Sequence, residues 1–76
     1  MDFVLHFPGR PGCLPWAIFV QDAPDGDREL ASEFARTVIE TGLVVPDPWG
    51  RVTWSDVEEG SRRAEIPRPD GLSVGA

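Results

Sequence analysis

Lysine, tyrosine and asparagine are absent from this 76-residue chain, and cysteine, histidine and methionine occur once each. Without Lys there is no P-loop, whose glycine-rich cradle needs a Lys to reach the phosphates. One Cys cannot close an internal disulfide. One His and one Cys fall short of the four ligands of a structural zinc site, so neither a metal nor a cofactor is expected. No apolar run approaches the roughly 20 residues that cross a bilayer, and no charged segment followed by an apolar one marks a secretory signal. A cytoplasmic location is expected. Seven basic residues, all Arg, oppose thirteen acidic ones, for a formal charge of −6. A surface of that sign repels phosphate backbones and anionic lipid, which disfavours direct nucleic-acid or membrane binding and favours a protein partner with a basic surface. Arg as the sole strong base is what a GC-rich coding sequence yields, which points to a bacterial or phage source.

The length allows one small domain and a core of modest size. Chains of this size often draw stability from a partner or from self-association, which leaves room for a homodimer. The strongest signal is DGDRELASEFARTVIETGL. At about 100° per residue, Leu30, Ala31, Phe34, Ala35 and Val38 share one arc, while Glu29, Ser32, Glu33, Arg36 and Glu40 lie on the other side. This predicts an amphipathic helix over about residues 26–41, capped by Asp25 or Asp27 and stopped by Gly42. Upstream, DFVLHF and WAIFVQ are short aromatic and β-branched runs that read as strands. Paired antiparallel, the first would show Phe3, Leu5 and Phe7 on one face and Val4 and His6 on the other.

Beyond the helix two readings compete. RVTWSDV and RRAEIP can form a hairpin turning at Glu58–Ser61. Alternatively, Ser55 and Glu58 have capping-box spacing and would start a short helix at Asp56. Gly60 weakens a helix by about 1 kcal/mol relative to Ala, which favours the hairpin. The chain then reads as one small α+β domain over residues 1–66, in the order ββαββ, with a mainly antiparallel sheet covered on one face by the helix. Residues 67–76 carry too little apolar content to dock and are expected to form a flexible tail.

Catalytic chemistry is hard to assemble from these residues. His6 and Cys13 could meet across the strand–loop junction, but no third group orients the His, and a small buried Cys beside a surface His accounts for both. The paired carboxylates, Glu58 with Glu59 and Glu29 with Glu33, fall on solvated faces rather than in a dry pocket. No catalytic residue is assigned, and the chain is not expected to be an enzyme. Binding features are better supported. Trp49 sits in VPDPWGR, where Pro46, Pro48 and Gly50 keep it out of regular structure. It is a candidate interface anchor, although so small a core favours its folding back inward. The candidate partner-binding residues are therefore Asp25, Asp27, Glu29, Glu33 and Glu40 around the helix, together with Trp49 and Arg51. By size and charge the chain suggests a small acidic interaction module, by analogy a phage-type inhibitor of a nucleic-acid-handling enzyme, such as an anti-CRISPR protein. The alternative is a non-catalytic accessory or biosynthetic factor that binds a small molecule or a peptide, for instance by taking a ligand strand onto its sheet edge.

Overall fold

The computed structural model describes residues 1–8 and 16–72, in the order β1 (Phe3–Phe7), β2 (Trp16–Gln21), α1 (Arg28–Glu40), β3 (Arg51–Thr53) and α2 (Trp54–Arg63). β2 is the central strand. It pairs antiparallel with β1, Phe3 opposite Val20 and Phe7 opposite Trp16, and parallel with β3, Val20 opposite Val52. The fold is α+β with a three-stranded mixed sheet and two helices among the described residues.

The expected order ββαββ and mainly antiparallel sheet are thus corrected. α1 returns the chain along the sheet, so the next strand starts from the same end as β2 and must run parallel to it. β3 then stops after three residues because Thr53 caps a helix. The Thr53 side chain accepts from the Asp56 N–H at 3.3 Å, and the Asp56 carboxylate accepts from the Thr53 N–H at 3.3 Å. This capping box lies two residues before the one suspected at Ser55 and Glu58. The hairpin is replaced by α2, which buries Trp54, Val57, Gly60 and Ser61 at helical spacing and leaves Ser55, Asp56, Glu59, Arg62 and Arg63 exposed. Gly60 sits where α2 crosses the chain closely: a Cβ built there would collide with Val44 and come within 2.9 Å of Val38 Cγ1.

α1 matches its prediction. The Asp27 carboxylate accepts from the Leu30 N–H at 3.1 Å, and Gly42 follows the helix in the left-handed region at φ 81°. Its buried side, Ala31, Phe34, Ala35, Val38 and Ile39, packs on one sheet face, to which Phe3, Leu5, Ile18, Val20 and Val52 contribute. Phe34 and Trp54 meet with ring centroids 5.7 Å apart, which ties α1 to α2. Of the three residues following Gly42, only Val44 turns inward, and Leu43 and Val45 are exposed. Of the tail expected to hang free from Pro67, the described part, residues 67–72, packs. Arg68 pairs with Glu58 at 3.1 Å, and Leu72 is buried in the core.

Candidate binding surfaces

Both helices lie on one side of the sheet, and no described element covers the other side. Strand alternation puts Val4, His6, Ala17, Phe19, Gln21, Arg51 and Thr53 there. Val4 is 41% exposed, and Ala17, His6 and Arg51 are open to solvent, while Phe19 is half-buried. At the β3 margin stands Trp49, 77% exposed. It does not fold back over the core, so the inward alternative is corrected.

Trp49 is nevertheless held. Gly50 N–H donates to the Asp47 carbonyl at 2.9 Å, closing a turn with Pro48 and Trp49 at its centre, and Gly50 adopts φ 77°. The Asp47 carboxylate accepts from the Trp49 N–H at 2.9 Å, from the Arg51 N–H at 2.9 Å and from Arg51 Nε at 3.2 Å. The Arg51 guanidinium in turn lies 5.5 Å from the indole centroid, within cation–π range. The Asp47 carboxyl is held below its ordinary pKa, chiefly by the hydrogen bond from the Arg51 backbone. Partial desolvation opposes this, and the Trp49 N–H and the Arg51 guanidinium add to the lowering. Asp47 was missed as a site residue, although an Asp two positions before an ordered residue in a Pro-Gly stretch is an Asx-turn signal.

The acidic candidates lie elsewhere. Glu29, Glu33 and Glu40 line the outer side of α1, so they point away from the sheet, opposite to the face that carries Arg51. Asp27 is occupied as the α1 cap, and Asp25 is exposed, 3.6 Å from the α-amino group of Met1. The seven predicted residues therefore form two separate surfaces rather than one site. An open groove of about 600 Å³ along α1 is lined by Asp27, Glu29, Glu33 and Arg36 among others, and contains no nucleophile–base pair among the described residues. The Arg36 guanidinium donates to the His6 carbonyl at 2.8 Å and lies over the Phe7 ring. The imidazole of His6 is exposed on the uncovered face, and its supposed partner Cys13 lies outside the described residues.

The β3 edge offers little to an incoming strand, and the β1 edge is obstructed only toward its end, the outward N–H and C=O of Val4 having no partner among the described residues. Along β3, the Arg51 N–H and C=O are both taken by Asp47, and the Thr53 N–H by Asp56. Along β1, Arg36 occupies the His6 carbonyl, and Pro8 has no N–H to extend a ladder. Among the described residues, no group of three or more His, Cys, Asp or Glu side chains is gathered as a metal site requires, and no helix is long and apolar enough to cross a membrane. Compared with known proteins, the chain matches no family model, no curated sequence and no solved structure.

Proposed function

We propose that this chain is a non-catalytic, acidic protein-interaction module whose partner presents a basic surface. The observation that carries the reading is Trp49, an indole left 77% exposed on a turn that Asp47 holds in place. A large aromatic already fixed in position makes area for a partner without a further ordering cost, which is the usual character of an interface anchor. The formal charge of −6 supports a basic counterpart. Within this class, a phage-type inhibitor that covers the nucleic-acid groove of an enzyme fits the outward carboxylates Glu29, Glu33 and Glu40 of α1 on a small body. The accessory-factor alternative, by strand addition, is disfavoured at β3, where the outward Arg51 groups and the Thr53 N–H are already bonded.

The test is capture of a basic, nucleic-acid-binding enzyme from a bacterial lysate, followed by association kinetics with the captured enzyme at two ionic strengths. Trp49→Ala is expected to weaken binding at least tenfold with an unchanged thermal melt. Reversing Glu29 and Glu33 to Arg is expected to slow association and flatten its salt dependence, with stability changed by no more than about 0.5 kcal/mol. A loss confined to Trp49→Ala would place the partner on the sheet side; a loss confined to the double reversal would place it on α1. Wild-type behaviour in both would overturn the interaction reading.

A further inference from the structure

We infer that the uncovered face of the sheet seats one basic amphipathic helix of the partner, apolar side down across Val4, Ala17 and Phe19, with Trp49 closing one flank. This rests on the interaction reading above and specifies its geometry. Among the described residues the sheet has helices on one face only, and the usual complement of an open sheet face is a helix packed about 10 Å above it. Three strands spaced about 4.8 Å apart make a bed about 10 Å across, close to the width of one helix with its side chains. An extended ligand would instead need a strand edge. The β3 edge is closed by Asp47 and Asp56, and the β1 edge is interrupted at its end by Arg36 and Pro8, which leaves only the short stretch at Val4 for an extended ligand to pair with.

Charge selects the sign of the occupant. Val4, Ala17 and Phe19 form the apolar part of the face, beside His6 and an Arg51 that is paired with Asp47, whereas further carboxylates stand at its rim. Asp2 and Asp22 adjoin at one end, where the Asp2 carboxylate accepts from the Asp22 N–H at 3.0 Å. Asp47 and Asp56 border the groove along β3, and Asp47 is paired with Arg51, whereas Asp56 forms no ion pair among the described residues. A helix carrying Lys or Arg on either side of an apolar stripe meets that pattern. A second copy of this chain carries the same net charge of −6 and the same acidic rim, so like charges would oppose its docking.

The inference is tested on the full chain by NMR titration with three synthetic peptides of about 18 residues: an amphipathic Leu/Lys helix, its Leu/Glu counterpart, and the Leu/Lys sequence interrupted by two central prolines. The Leu/Lys helix is expected to bind and to shift Val4, Ala17, Phe19 and Arg51, with the Leu/Glu peptide silent and the interrupted peptide at least tenfold weaker. Ala17→Glu, on the central strand and exposed, is expected to weaken the Leu/Lys helix at least tenfold although it adds negative charge, because it puts a carboxylate beneath the apolar stripe. Unchanged or tighter binding by Ala17→Glu, or equal binding of the interrupted peptide, overturns the inference. Shifts centred on Glu29 and Glu33 overturn it while leaving the interaction reading intact. A concentration-dependent dimer, dissolved by Ala17→Glu without peptide, assigns the face to a second copy and overturns it as well.

Discussion

Asp47 and Phe34 show how single side chains carry different duties in so small a protein. Asp47 fixes the anchor turn rather than the core, and its carboxylate is needed in charged form. Its pKa is lowered in the folded state, so what it contributes is present above the ordinary carboxylate pKa and is lost as pH falls through the folded value. The Trp49 and Arg51 amide signals are accordingly expected to stay constant through the ordinary carboxylate range and to titrate together only below it. Asp47→Ala should abolish that joint titration with little change in the melt; a titration that survives the substitution would refute the clamp. Phe34 belongs to the core, buried against Trp54. Phe34→Ala is expected to cost about 3–5 kcal/mol, a large part of the stability of any domain of this size, and thermal unfolding followed by circular dichroism would measure it. An unchanged melt would remove Phe34 from the core.

The helices differ in how much of their character is local. α1 announces itself through its apolar arc, its Asp27 cap and the Gly42 stop, each visible without knowing what it packs against. α2 does not, because two of the four residues it buries are Gly60 and Ser61, which read as turn or surface types. Gly60 looked like a helix breaker and is instead the point of closest approach to Val38 and Val44. Gly60→Ala separates the two ideas. Helix propensity alone predicts stabilisation by about 1 kcal/mol. Contact with two stiff β-branched side chains predicts destabilisation by about 1–3 kcal/mol. A lower melting temperature is expected, and a higher one would mean that α2 can move away from α1 at little cost.

Across the molecule, a sheet covered on one side separates an acidic helical surface from a neutral face bordered by Trp49, and the C-terminal segment fastens the covered side. Leu72 reaches the core and Gly71 lies against Leu30, while Arg68 joins Glu58, which also accepts from the Trp54 indole at 2.7 Å. Ending the chain at Ile66 is expected to cost about 1.5–3 kcal/mol from the lost burial of Leu72, with the half-exposed ion pair adding little. At about 4–8 °C per kcal/mol, a calorimetric scan resolves this easily. An unaltered melting temperature would show that the segment merely rests on the surface.

The β1 alternation, the β1 and β2 strands and α1 were legible from residue order, because strand and helix periods and caps depend on neighbours a few positions away. So was Trp49 as a residue outside regular structure, since Pro46, Pro48 and Gly50 act locally. Its exposure was not legible, nor was the parallel pairing of β3 with β2, the helical state of residues 54–63 or the docking of Leu72. Nor was the separation of the acidic stripe from Trp49 and Arg51 by the sheet. Each of these depends on which distant surfaces come together: on Val38 and Val44 accepting a glycine, on Leu30 meeting Gly71, and on both helices choosing the same side of three strands. Contacts between residues far apart in the chain leave no periodic trace in it, so their outcome is settled by packing and not by propensity.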